Sequence, residues 1–211
     1  MNTITYKIIN ILLTLSALIS GCAKSESTTG VTGASLIVFG DSISYGVYVQ
    51  NSYTKQLAEY LSVPLQNYSA PATTLDSDDQ IGRIRVKPIV KADIVLLTPG
   101  INDAAIHGQD PVYLNTYRSL LREALSIMTN QSSHVYLGTT LLTADGDPLN
   151  SDAEAYAQIA RDLAAEFAQS GVHLIESRKA FVPDNTNMVD GVHPNELGHL
   201  QLFNIYKGYF N

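Results

Sequence analysis

Three short segments, far apart in the sequence, carry residue types that could act together on an acyl group. Residues 40–42 read Gly-Asp-Ser, residues 100–103 read Gly-Ile-Asn-Asp, and residues 190–193 read Asp-Gly-Val-His. A serine hydroxyl becomes a useful nucleophile only when a neighbouring base takes its proton. A neutral imidazole near pH 7 is such a base. The residue types therefore predict acyl transfer to water.

Each candidate has a definite role in that reaction. Ser42 would attack the carbonyl, and His193 would act first as general base and then as general acid. Asp190 would orient the imidazole and stabilise its charged form. Attack creates an oxyanion that needs hydrogen-bond donors, which the Asn102 side chain and backbone N–H groups could supply.

Each segment also has a purely structural explanation. Asp41 or Ser42 would cap a helix that starts after the glycine. Asn102 or Asp103 would cap a later helix or close a turn, and Asp190 would bond its own loop backbone. The segments are weak evidence one by one and informative only when they occur together.

From residue 35 onward, apolar runs of strand length alternate with segments of helical periodicity. Strands that are apolar throughout are typical of a parallel sheet covered on both faces. The alternation predicts a three-layer α/β/α sandwich with a flavodoxin-like, five-stranded parallel sheet. The predicted strands are Leu36–Phe39, Leu65–Tyr68, Ile94–Thr98, Val135–Gly138 and Val172–Ile175.

The predicted sheet would gather the polar segments at one edge. In such sheets, functional groups lie on the loops that follow the carboxyl ends of the strands. Residues 40–42 follow the first predicted strand, 67–74 the second and 100–103 the third, while 190–193 follow the fifth after a longer excursion. We therefore expect these four loops to share one rim.

These segments resemble the sequence blocks of the GDSL, or SGNH, hydrolase family. The family's G-D-S block matches residues 40–42, its G-x-N-D block matches 100–103, and its D-x-x-H-P block matches 190–194, with Gly198 in the helix that follows. The resemblance runs from residue 35 to the end of the chain. It implies the SGNH hydrolase fold and ester hydrolysis by a metal-free triad of Ser42, Asp190 and His193.

One block departs from the family pattern. The family usually has a glycine after the second strand, and the backbone N–H of that glycine donates to the oxyanion. Here Ala72 occupies that place, next to Pro71, which has no N–H. The resemblance implies an oxyanion hole formed by the backbone N–H groups of Ser42 and Ala72 and by the Asn102 amide. Because alanine carries a Cβ, a left-handed backbone at Ala72 would be costly.

The remaining polar and aromatic residues favour no cofactor. His107, His134, His173 and His199 share no metal-ligand spacing and are expected at the surface or in loops. We expect neither a metal nor another cofactor. Tyr45, Tyr48 and Tyr53 follow the nucleophile closely and would either line a substrate cleft or pack over the sheet.

Composition and domain size limit the partners. The chain has 211 residues, 45% of them hydrophobic, and a formal charge of −7, which argues against a nucleic-acid partner. Residues 35–211 leave little room for a lid or a deep tunnel, so a shallow site for short acyl esters is favoured, such as O-acetyl groups on carbohydrate. A lysophospholipase or thioesterase-like enzyme is the alternative, and an inactive lipid-tethered binding module is a third.

The first residues are predicted to lie outside the domain. Residues 8–19 are mostly apolar and too short to span a bilayer, which needs about 20 residues, but they suit a secretory signal. Cys22 is the only cysteine, so an internal disulfide is excluded, and it ends a segment resembling a bacterial lipobox. We predict a signal peptide at 1–21, a lipidated tether at 22–34 and the hydrolase domain at 35–211. The protein would then be anchored in the cell envelope, at the outer membrane.

Overall fold

A single parallel sheet forms the centre of the computed structural model, which describes residues 35–76, 80–144 and 146–210. Its strands are ordered β2-β1-β3-β4-β5, and every neighbouring pair is parallel. The predicted flavodoxin-like sheet is therefore confirmed, with ends that shift by one residue in three strands. The strands are β1 (Leu36–Gly40), β2 (Leu65–Asn67), β3 (Ile94–Thr98), β4 (His134–Gly138) and β5 (Val172–Ile175).

Helices cover both faces of this sheet. Helices α2 and α8 pack against each other, while α5 packs with α3 and α6, and α6 with α4. In the described ranges the helices are α1 (Ser42–Tyr45), α2 (Tyr53–Leu61), α3 (Gln80–Val86), α4 (Ile101–His107), α5 (Pro111–Gln131), α6 (Leu149–Glu166), α7 (Ser177–Ala180) and α8 (Glu196–Lys207). None of them is long and apolar enough to cross a bilayer.

The core forms where apolar strands meet the apolar stripes of the helices. Every residue of β1 is buried, and β3 is buried except for partial exposure at Thr98. A fully buried aliphatic or aromatic side chain contributes about 1.5–3 kcal/mol relative to an exposed one. The apolar stripe of α5 is buried along its length, at Tyr117, Leu121, Ala124, Leu125 and Met128.

The packing of α8 on α2 fixes the loop that precedes α8. Tyr53 lies over Tyr206, with ring centroids 4.8 Å apart, and its backbone N–H donates to His199 Nδ1 over 3.2 Å. The expectation of an exposed or loop position for His199 was wrong, since the residue is buried within α8. Burial lowers the pKa of His199 to about 4. This ring is therefore neutral at pH 7 and serves as an acceptor inside the helix packing.

A glycine allows the loop before α8 to lie close to the helix. A Cβ at Gly198 would fall on the backbone carbonyl oxygen of Asn187 and within 2.6 Å of Pro194 Cβ.

The predicted signal peptide, the tether and Cys22 all lie outside the described residues, so these expectations stay predictions.

Candidate active site

A helix cap presents the serine at the end of β1. Asp41 is the N-cap of α1, and its Oδ1 accepts the backbone N–H of Ile43 over 2.9 Å. The capping role therefore belongs to Asp41, which leaves the Ser42 hydroxyl available for another partner. The turn is tight, because a Cβ at Gly40 would lie 2.5 Å from Thr98 Oγ1.

The three predicted triad residues form one hydrogen-bonded chain. Ser42 Oγ lies 2.9 Å from His193 Nε2. On the other side of the imidazole, His193 Nδ1 lies 2.8 Å from Asp190 Oδ2 and 3.0 Å from Asp190 Oδ1. A base within hydrogen-bond reach of a hydroxyl, itself held by a carboxylate, is the arrangement that activates a serine nucleophile.

The Asp190 carboxylate also organises its own turn. Its Oδ1 accepts the backbone N–H groups of Val192 at 3.1 Å and His193 at 2.9 Å. The carbonyl of Gly191, the residue after Asp190, accepts the backbone N–H of Ala144 over 2.7 Å, which ties the turn to the loop after β4. Partial burial alone would raise the pKa of Asp190, but the hydrogen bonds from His193 and Val192 lower it below its usual range. The carboxylate is therefore ionised at neutral pH.

The loop after β2 carries the predicted middle donor. Ala72 has a φ of +59°, so this residue adopts the left-handed backbone that the sequence marked as costly. That conformation costs an alanine about 1–2 kcal/mol. The loop is held by a bond from Ala70 N–H to the Gly40 carbonyl over 3.2 Å. The second loop is thus fixed directly against the end of β1, next to Ser42.

Asn102 joins the third loop to the second. Its Nδ2 donates to the Thr73 carbonyl oxygen over 2.9 Å, immediately after Ala72. A side-chain amide has two N–H donors, so one remains for a bound oxyanion. The structure therefore brings Asn102 beside the Ala72 turn.

Sequence reasoning missed the role of Asp103. We expected a cap or turn residue, but the cap of α5 is Asp110, which accepts the Val112 N–H. Asp103 lies inside α4, and its Oδ1 accepts the backbone N–H of Leu75 at 3.0 Å and the hydroxyl of Tyr113 at 2.8 Å. This buried carboxyl group ties the second loop to the third. Its place in the G-x-N-D block singled out this residue but gave no sign of its burial or its partners.

The space under the nucleophile turn is small and partly polar. A cavity of about 20 Å³ lies between the ends of β1, β3 and β4. This volume holds about one water molecule. The cavity is too small for an acyl chain, and the lining side chains include Asp41, Ser44, Thr98, Thr139, Thr140 and Tyr206.

Over the ranges that the structure describes, no three His, Cys, Asp or Glu side chains are grouped as metal ligands would be.

Comparison with known proteins supports this description. The model of the GDSL-like lipase/acylhydrolase family matches residues 38–200. No curated protein matches the chain.

Solved structures share the fold at low sequence identity. A lipolytic protein of the G-D-S-L family from Veillonella parvula is 21% identical, with a TM-score of 0.68 over 83% of this chain and 97% of its own. Axe2, an acetylxylan esterase from Geobacillus stearothermophilus, is 19% identical, with a TM-score of 0.65 over 84% of this chain and 94% of its own. LAE5, an alpha/beta hydrolase from the Lake Arreo metagenome, gives the same identity and score, over 84% and 95%. These likenesses confirm the SGNH hydrolase fold.

The left-handed backbone at Ala72 gives a prediction for stability. Ala72→Gly removes the Cβ strain and should raise the free energy of unfolding by up to about 1 kcal/mol, while the backbone N–H is retained. Ala70→Gly is the matched control, because Ala70 lies in the same loop without a positive φ. This control should lower stability by about 0.4–1 kcal/mol. Urea unfolding measures the free energy of unfolding of both variants. An equal loss of stability in the two would contradict the left-handed backbone at Ala72.

The buried carboxyl group of Asp103 gives a prediction for pH dependence. Burial raises the pKa of Asp103 to about 6, above its value in the unfolded chain. The folded state then binds the proton more tightly, so its contribution to stability is present at low pH and is lost as pH rises from about 4 to 6.

Asp103→Asn removes this titration while its side-chain oxygen can still accept both hydrogen bonds. The variant should therefore gain on the parent, by on the order of 2 kcal/mol, as pH rises from 4 to 7. Urea unfolding at several pH values gives the difference. Parallel stability curves for parent and variant would show that Asp103 is not the titrating group.

Proposed function

The chain belongs to the GDSL-like lipase/acylhydrolase family and is a carboxylic ester hydrolase, and we propose that it acts through an acyl-enzyme on Ser42. One observation carries the proposal, namely the hydrogen-bonded chain from Ser42 Oγ through His193 to Asp190. Three side chains from two distant segments meet at the distances that proton transfer requires.

The proposed reaction has two half-reactions. In the first, His193 Nε2 takes the Ser42 proton while Oγ attacks the ester carbonyl, and the resulting oxyanion receives hydrogen bonds from Ser42 N–H, Ala72 N–H and Asn102 Nδ2. His193 then gives the proton to the leaving alcohol oxygen as the carbon–oxygen bond breaks. In the second, His193 takes a proton from the water that attacks the acyl-enzyme, and returns it to Ser42 Oγ as the bond between Oγ and the acyl carbon breaks and the acid leaves. Asp190 stays ionised throughout and holds the imidazole.

Variants of a structural neighbour support these roles. Three structures of Axe2 are catalytic mutants in which a serine, a histidine or an aspartate is replaced by alanine. The replaced aspartate and histidine of Axe2 are three positions apart, as Asp190 and His193 are here. The same three residue types therefore support Ser42, Asp190 and His193 as the catalytic residues of this chain.

We propose short acyl esters, such as O-acetyl groups on carbohydrate, as the substrates. The domain of residues 35–211 is small and leaves little room for a lid or a deep acyl tunnel. Axe2 is an acetylxylan esterase, which agrees with an acetyl substrate. An acetyl group adds only one methyl beyond the reacting carbonyl, so an open site without a tunnel is sufficient for it.

A second candidate, a lipolytic enzyme for longer acyl chains, is favoured by exposed apolar residues next to the histidine in the sequence. Val189 precedes the acidic turn and is 51% exposed, while Leu197 and Leu200 at the start of α8 are 60% and 46% exposed. Exposed apolar side chains near a reactive group can bind an aliphatic chain along the surface. The two candidates differ in the acyl length that gives the highest kcat/KM.

Hydrolysis of p-nitrophenyl esters tests both the mechanism and the acyl preference. Ser42→Ala should lower kcat by at least about a thousandfold, because the variant lacks the hydroxyl that is hydrogen-bonded to His193 Nε2. Ser119→Ala is the matched control, since this serine lies on the outer face of α5 and bonds only its own helix backbone. The parent should prefer acetyl over octanoyl esters and should be labelled by a fluorophosphonate.

Two results would contradict this account. Parent-like activity in Ser42→Ala would show that another group is the nucleophile. Higher kcat/KM for octanoyl than for acetyl esters would support the lipolytic candidate instead.

We also propose that the mature protein is tethered to the envelope through a lipid on Cys22. The support is the apolar segment that ends in the chain's only cysteine. Cys22→Ser should move the protein from the membrane fraction to the soluble fraction, because a stable anchor needs the acyl chains. Equal membrane recovery of both forms would refute the anchor.

A further inference from the structure

Tyr48 has a conformation that core packing does not explain. Its φ is +71°, in the left-handed region that bulky residues rarely occupy. The residue is 64% exposed, so its ring gains little from burial to offset this strain. Strain of this kind is concentrated at functional sites, where the surrounding structure holds it in place.

The Tyr48 ring lies against the proposed general base. The centroids of the Tyr48 and His193 rings are 5.4 Å apart, and the two planes are nearly perpendicular at 80°. The loop that carries Tyr48 is fastened on the histidine side, because Gln50 N–H donates to Glu196 Oε1 over 2.8 Å. On the nucleophile side, the same loop continues from α1 through Gly46. The tyrosine is thus held between Ser42 and the start of α8.

The chemistry of the reaction says which part of the ester lies there. His193 Nε2 must deliver a proton to the leaving alcohol oxygen, so that oxygen comes within hydrogen-bond distance of the imidazole. The carbonyl oxygen of the ester, which becomes the oxyanion, is directed instead to the donors at Ala72 and Asn102 on the other loops. A side chain packed on the imidazole therefore borders the space of the leaving group.

We infer that Tyr48 forms a subsite for a cyclic alcohol, with its exposed ring stacked on the apolar face of a sugar. This inference rests on the proposed function and deepens it, because it assigns a binding residue to the alcohol side of the ester. A phenol offers a rigid apolar face and a polar tip, which suits a ligand with an apolar face and a polar edge. A small linear alcohol has no face to stack and gains little from Tyr48.

Two variants separate the ring from the backbone. Tyr48→Asn removes the ring but keeps a residue that tolerates the left-handed region, and Tyr48→Phe keeps the ring as the matched control. The substrates are an acetylated methyl xyloside and ethyl acetate, which share the acyl group and differ in the alcohol.

Tyr48→Asn should lower kcat/KM for the acetylated xyloside by about tenfold, mainly through KM, and change that for ethyl acetate by less than about twofold. Tyr48→Phe should stay within about threefold of the parent on both substrates. The nearly unchanged value for ethyl acetate also shows that the variant is folded and its triad intact.

Other results overturn specific parts of the account. Equal loss on both substrates in Tyr48→Asn would show that Tyr48 only positions His193, and no loss on either would show that it has no role; each overturns the subsite. Failure of the parent to hydrolyse any acetyl ester would instead overturn the proposed function. The two failures are therefore distinguishable.

Discussion

A 2.9 Å hydrogen bond joins Ser42 Oγ to His193 Nε2 across 151 residues of sequence, and the rest of the site depends on it. A hydroxyl without this contact is a poor nucleophile. The strand order places β1 beside β3. At this position the order in which the chain adds strands to the sheet reverses, and the loops that follow the two strands lie on either side of a crevice. The nucleophile follows β1, and Asn102 follows β3. His193 comes from the far end of the chain and is held near the crevice by the packing of α8 on α2.

Several groups around this hydrogen bond have an environment or a backbone conformation that costs free energy. Burial raises the pKa of Asp41 to about 6, with a smaller contribution from the Asp103 charge, and burial likewise raises the pKa of Asp103 to about 6. Ala72 and Tyr48 both have positive φ values on loops of the site. Each of these two backbone conformations costs of order 1–3 kcal/mol. The central apolar core can offset these costs, because β1 and much of β3 are buried completely.

Much of the fold was predictable from the sequence, and so was the meeting of Ser42, Asp190 and His193, because both leave local signals. The predicted bounds of all five strands were right to within one residue at each end. Ser42, Asp190 and His193 belong to types that few structural roles demand in that order. Asp103 and His199 left no such signal, since a carboxyl or imidazole group is read as polar and exposed unless its tertiary partners are known. The sequence did not decide between a substrate cleft and packing over the sheet for Tyr48, for the same reason. Only the approach of two distant loops shows that its ring lies on His193.

A double-mutant cycle on Ser42 and His193 tests the central claim most directly. The measurement is kcat/KM for p-nitrophenyl acetate in Ser42→Ala, His193→Ala and the double variant. If the hydroxyl and imidazole act as one hydrogen-bonded unit, the double variant should be no less active than the weaker single variant, because either change alone removes the unit. Losses that multiply in the double variant would show that the two side chains act independently, and would contradict the account.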